Sequence, residues 1–264
     1  MINNSRHQAM AGARLGGWAV LAVAVILLAW QPTSAQTIFK QDQLEHSRVR
    51  AAFASKEPLL RAAFNSASLS YPPQSLFLRI FKKEKRLEAW VGESGGGYRL
   101  AKTFEICASS GKPGPKRRRG DLQVPEGFYH ISDFNPRSNF FLSLGISYPN
   151  RSDQIRKNGG DPGGAIYIHG DCVTIGCVPI NDDGIMELYV LAVEARAGGQ
   201  RQIPVHIFPA RMDSLDYRLL AEEYSHEPDL VEFWRNLKVG YDYFQSTGRL
   251  PRVTIDRKGE YHFE

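Results

Sequence analysis

The chain has no internal repeat, no sustained heptad and no low-complexity tract, which excludes solenoids, coiled coils and extended disordered arms. A charge surplus is also missing. Lys and Arg total 33 against 28 Asp and Glu, too near balance for the electrostatic footprint of a nucleic-acid binder. Cysteine is scarcer still: Cys107, Cys172 and Cys177 are the only three, so they cannot all pair within one chain. One of them must be free, linked to another molecule or bound to something. What is present is ordinary globular composition, 42% hydrophobic and 23% charged, in a length that suits one large domain or two small ones.

There is a single long apolar run, Leu15–Trp30 (LGGWAVLAVAVILLAW), preceded by Arg6 and Arg14 and followed by small residues at Ser34 and Ala35. This pattern predicts a signal peptide over 1–35, cleaved after Ala35; the rival is an uncleaved membrane anchor. Either places the remaining chain outside the cytoplasm, in the periplasm or cell envelope. Without Arg6 and Arg14 the exported part holds 31 basic and 28 acidic side chains, a balance of +3. An exported compartment is usually oxidising, so a thiol kept free there needs a reason.

Residues 36–74 read as an N-terminal helical segment. Leu44, Val49, Phe53, Leu60 and Phe64 stand near helical spacing, and Pro58 suits a break or a new first turn. From Ser75 the period changes to that of strands. SLFLRIF and RLEAWVG read as a hairpin, Ser94–Gly97 as a glycine loop and Tyr98–Cys107 as a third strand. Further strands are expected within VPEGFYHISDF, FFLSLGISYP, AIYIH and QIPVHIFP. Between Cys177 and Gly198 the pattern is helical, with Asn181, Asp182 and Asp183 as capping candidates. The basic loop SSGKPGPKRRRGD reads as a solvated turn, or as a surface where Lys112, Lys116 and Arg117–Arg119 attract a carboxylate-bearing substrate. A C-terminal extension over 211–264 holds a helix and a short terminal strand pair. The class is α+β with a β-rich centre.

The stretch IYIHGDCVTIGC, residues 166–177, concentrates the chemistry. As a nucleophile, Cys177 would sit after Gly176 and just before a capped helix, whose N–H groups lower a thiol pKa. His169, seven residues upstream, would be its base, and the N–H groups of Gly176 and Cys177 would form an oxyanion hole. As a metal site, His169, Cys172 and Cys177 form H-x2-C-x4-C, half a zinc site without an evident fourth ligand. As a disulfide, Cys172 would pair with Cys177 or Cys107; as a bland strand, the cluster would be incidental. His46, His130, His206, His226 and His262 read as surface or satisfied histidines, Tyr167 as a packing residue beside the cleft, and Asp171 as a cap on the turn.

His169-Gly170 followed by Thr174-Ile175-Gly176-Cys177 resembles the HG…(S/T)xGC signature of the L,D-transpeptidase family, whose catalytic domain is the YkuD domain. The short gap between His169 and Cys177, with GPKRRRGDLQVPEGFY, NFFLSLGISYPN and FWRNLKVGYDYF, resembles the YafK-like branch. The resemblance implies a β-rich YkuD-like catalytic domain over 75–210 with flanking N- and C-terminal helices. It implies a cofactor-free cysteine acyl transferase acting on peptidoglycan stem peptides, with Cys177 as nucleophile, His169 as base, and the Gly170 carbonyl orienting the imidazole. Within this branch it also admits a hydrolase, an amidase or peptidase, that frees a wall-attached protein or peptide; a non-catalytic wall-binding module is the alternative from another class. Two features depart from the family: Pro179 stands where many members carry arginine, and the His-to-Cys segment is short. If Cys177 must stay reduced, Cys107 and Cys172 are left to pair.

Overall fold

The computed structural model describes residues 34–157 and 159–264. The expected signal peptide, apart from Ser34 and Ala35, lies outside the described residues. Among these, no helix is long and apolar enough to cross a membrane.

Two helices open the described chain, α1 (Ser34–Leu44) and α2 (Ser47–Ser66). In α2 the residues Val49, Phe53, Leu60 and Phe64 form the buried face that the spacing predicts, and Ala52 joins them. Pro58 does not break this helix. It lies on the exposed face, and burial of Phe53, Leu60 and Phe64 on the opposite side outweighs the one backbone hydrogen bond that the ring removes.

The strands β1 (Leu76–Phe81), β2 (Arg86–Gly92) and β3 (Tyr98–Glu105) form an antiparallel meander, with Leu76 opposite Val91 and Phe81 opposite Arg86. The chain then adds β4 (Gly127–Asn135), β5 (Ser143–Ile146), α3 (Arg151–Arg156), β6 (Tyr167–His169), β7 (Val178–Pro179), α4 (Asn181–Ala197) and β8 (Pro204–Phe208). They complete one mixed eight-stranded sheet in the order β3-β2-β1-β8-β4-β5-β6-β7. β8 lies parallel to β1 and antiparallel to β4, in the middle of the sheet. Helix α3 escapes periodicity because six residues are too few to show one; an Asn150–Asp153 capping box marks its start.

Helix α4 is buried from Leu188 through Ala195, wider than the stripe of Ile185, Leu188, Ala192 and Ala195 that the spacing suggests. It lies between the sheet and α1–α2, so it has no solvent face along that run.

The tail supplies α5 (Leu215–Glu223), α6 (Pro228–Thr247) and a two-stranded ribbon, β9 (Val253–Ile255) with β10 (Tyr261–Phe263). Every residue of β1 is buried, because this tail covers the face opposite α4. Arg79 joins the two layers. Its guanidinium, 2% exposed, donates to Glu88 at 2.9 and 3.1 Å and to Gln245 at 2.7 Å, within 4.9–5.3 Å of the Phe81, Trp90, Tyr241 and Phe244 rings.

A second buried knot fixes the loop after β3. The fully buried Glu126 carboxylate accepts from Lys82 Nζ at 2.8 Å, the Gly114 N–H at 2.9 Å and Trp234 Nε1 at 2.7 Å. Removing one partner of such a pair strands the other charge in low dielectric. Glu126→Ala is expected to lower the unfolding free energy by ~3–5 kcal/mol in urea titration. Trp234→Phe, which keeps the ion pair and loses one neutral donor, should cost clearly less.

Candidate active site

The parallel pairing of β6 with β7 builds the site. Ile168 is registered with Val178 and His169 with Pro179, so one position earlier Cys177 lies beside Tyr167. Side chains alternate across a sheet, which puts Tyr167, His169, Cys177 and Pro179 on one face and sends Ile168 and Val178 into the core. The pairing thus brings Cys177 and His169 to the same face of neighbouring strands. The intervening turn is pinned: the Gly170 N–H donates to Phe140 O at 3.1 Å, that of Asp171 to Asp182 Oδ1 at 2.8 Å, and that of Cys172 to Asp171 Oδ1 at 2.6 Å. Asp171 therefore serves the turn as a cap. A Cβ at Gly170 would collide with the Asp182 carboxylate and stand 2.8 Å from the Phe140 carbonyl oxygen, so only glycine fits beside His169.

His169 is 1% exposed and tilts against the Phe140 ring at 4.6 Å. Its Nδ1 lies 2.5 Å from the Gly170 carbonyl oxygen. A carbonyl only accepts, so Nδ1 carries the proton and Nε2 keeps its lone pair. Burial lowers the imidazole pKa, against smaller opposing effects of the Gly170 carbonyl and Asp171. Burial raises that of the Cys177 thiol, against the Tyr167 backbone and the Lys116 charge. Both groups are therefore held neutral near pH 7.

Two expectations need correction. Cys177 does not immediately precede the helix, because β7 and Ile180 intervene and α4 starts at Asn181. Its thiol pKa goes up through burial instead of down through a helix terminus. Nor are the N–H groups of Gly176 and Cys177 open donors. They donate to Thr174 Oγ1 at 3.2 and 2.8 Å, and that hydroxyl donates to the Cys177 carbonyl at 2.9 Å. A turn that does not enter a helix leaves these donors unpaired, and the nearest hydroxyl takes them. Gly176 has φ +130°, a backbone conformation suited to glycine.

Cys172 is bonded to Cys107, which follows β3, and Cys177 is the free cysteine. The disulfide spends Cys172 and so dismantles the H-x2-C-x4-C ligand set. Of the basic loop, Lys116 pairs with Asp121 at 2.6 Å, Arg117 with Asp153 at 3.1 Å and Arg119 with Asp161. Three of its five candidate cations thus hold the loop itself. Lys112 instead lines a cleft of about 190 Å³ beside Cys177, together with Lys82, Lys83 and Lys85 from the β1–β2 turn. The sequence shows that turn only as polar KKEK, with no sign that it would face a thiol some ninety residues away.

Comparison with known proteins places the chain in a family. The profile of the L,D-transpeptidase catalytic domain, YkuD, matches residues 77–207. YafK of Escherichia coli strain K12, whose L,D-transpeptidase designation is provisional, is 37% identical over 182 residues, 68% of this chain and 70% of that protein. YafK of strain O157:H7 matches to the same extent. Among solved structures, the helical cell shape determining protein Pgp2 of Campylobacter jejuni aligns with 69% of this chain and 73% of its own, at 20% identity and a TM-score of 0.41.

Two measurements check the site. Iodoacetamide alkylation of Cys177 in the substrate-free protein should climb with a midpoint above the usual cysteine value of about 8.5, since burial penalises the thiolate. A midpoint below about 7 would mean a preformed thiolate–imidazolium pair. Peptide mapping without reductant should find Cys107 linked to Cys172 and Cys177 alkylated; a Cys172–Cys177 link would contradict the site described here.

Proposed function

This chain belongs to the L,D-transpeptidase family, and from that premise we propose that it is an exported cysteine acyl transferase of the cell envelope acting on peptidoglycan stem peptides. The observation that carries the reading is the same-face placement of Cys177 and His169 on the paired strands β6 and β7, with Nδ1 engaged by the Gly170 carbonyl. That bond leaves Nε2 as the acceptor of the thiol proton.

In this mechanism Sγ attacks the donor carbonyl while His169 Nε2 takes its proton. The carbonyl oxygen becomes an oxyanion, which the Gly176 and Cys177 N–H groups stabilise once the Thr174 hydroxyl turns aside. The amide C–N bond breaks, and the imidazolium returns the proton to the departing amine. A thioester on Cys177 remains, and a second amine attacks it to restore the thiol. Because both groups start neutral, no ion pair has to be desolvated before attack; proton transfer accompanies formation of the C–S bond.

Where the family commonly has arginine, Pro179 closes the short strand β7. The acceptor is accordingly the open variable, and water in place of the amine turns the same site into a hydrolase. Incubation with tetrapeptide-bearing muropeptides, followed by mass analysis, separates the outcomes. A covalent adduct on Cys177 with cross-linked dimers is expected for transfer, whereas trimmed monomers mean hydrolysis. Cys177→Ala should abolish adduct and product, and His169→Gln should slow acylation by roughly 10²–10⁴-fold. Absence of both adduct and product from the native protein would overturn the proposal.

A further inference from the structure

The cleft beside Cys177 has a charge pattern that the proposed chemistry leaves unused. Ile80, Ile106, Val124, Val178 and Pro209 make it apolar, four lysines stand around it, and no acidic residue lines it. Lys82 is committed elsewhere, donating to Gly114 O at 2.8 Å, Val124 O at 3.0 Å and Glu126. Lys83, Lys85 and Lys112 are exposed, and among the described residues none of them forms an ion pair. Neighbouring cations do: Arg86 pairs with Glu88, Lys102 with Glu187, and Lys116 with Asp121. The three unpaired lysines all border the one thiol-bearing cleft.

Their backbones are held in place. The Lys83 N–H donates to Pro209 O at 2.9 Å, the Ile106 N–H to Lys85 O at 2.8 Å, and the Lys112 N–H to Gln123 Oε1 at 3.0 Å. Lys83 and Lys85 come from the β1–β2 turn, whereas Lys112 comes from the loop after β3. Two separate elements thus present positive charge to one apolar cleft. An occupant that satisfies both has an aliphatic body and free carboxylates at two positions.

We propose that Lys83, Lys85 and Lys112 form a carboxylate-reading rim that selects peptide acyl donors with at least two free carboxylates near the reacting carbonyl over their amidated counterparts. The identity of the donor rests on the acyl-transfer reading above; the rim itself rests on the geometry of the cleft.

The test uses two reagents that differ by one charge. Iodoacetate and iodoacetamide alkylate the same Cys177 thiol with the same leaving group, so the ratio of their rates reports the local potential. In K83Q/K85Q/K112Q this ratio should fall by about three- to tenfold, and in the native protein it should fall likewise in high salt. The ratio cancels any change in thiolate fraction, to which both reagents respond alike, and an unchanged urea-unfolding midpoint reports that the fold is intact. In parallel, calorimetry on Cys177→Ala should show muropeptides with free carboxylates binding about tenfold tighter than amidated ones, a preference the three Gln substitutions erase. An unchanged alkylation ratio overturns the rim, and equal binding of the two muropeptides overturns the selectivity. A ratio that responds while muropeptides neither bind nor acylate Cys177 supports the rim and overturns the function proposed above.

Discussion

A carboxylate without water must find its partners in the protein, and Glu126, fully buried, finds three of them. Lys82 belongs to the turn after β1, Gly114 to the loop after β3, and Trp234 to helix α6. One side chain therefore ties together the central hairpin, the loop over the cleft and the C-terminal layer. Lys82 adds the Gly114 and Val124 carbonyls to the same knot. The cleft beside Cys177 is bounded by the parts this knot joins, and Lys82 itself lines it, so its shape depends on the buried ion pair. Such a pair contributes little net stability over an apolar substitute, but it tolerates only one arrangement of its partners.

Burial sets the chemistry of the site as well. A thiol and an imidazole withdrawn from water are each pushed toward the neutral form, which raises one pKa and lowers the other. Burial thus acts in the same sense on both groups, against the charged form of each. The turn between them is braced where it leaves His169, by the Cys107–Cys172 disulfide and by the Asp171–Asp182 contact. Thr174 holds the other end of the turn by accepting from the Gly176 and Cys177 N–H groups.

Much of this was legible in the residues. The strand-like runs SLFLRIF and RLEAWVG on either side of the polar KKEK marked the first hairpin, and the spacing of Val49, Phe53, Leu60 and Phe64 marked the face of α2, because both follow from local backbone geometry. The HG…TxGC signature singled out Cys177 and His169, and its implication for the remaining cysteines pointed to the Cys107–Cys172 bond found in the structure. Pro58 misled because a proline signals the local cost of a helix and not the tertiary burial that offsets it.

The sequence by itself determined the α+β class and the candidate thiol and base, since each depends on residues close together in the chain, while the orienting role of the Gly170 carbonyl came from the family resemblance. Only the tertiary structure decided the thiol's environment, the engagement of the Gly176 and Cys177 N–H groups, and which cations face the cleft. Lys83 and Lys85 are far from Cys177 in the chain, and Lys116, Arg117 and Arg119 find acidic partners that their own spacing does not announce. Burial and long-range charge pairing arise from how the sheet is covered and where its loops return. No local pattern carries that information.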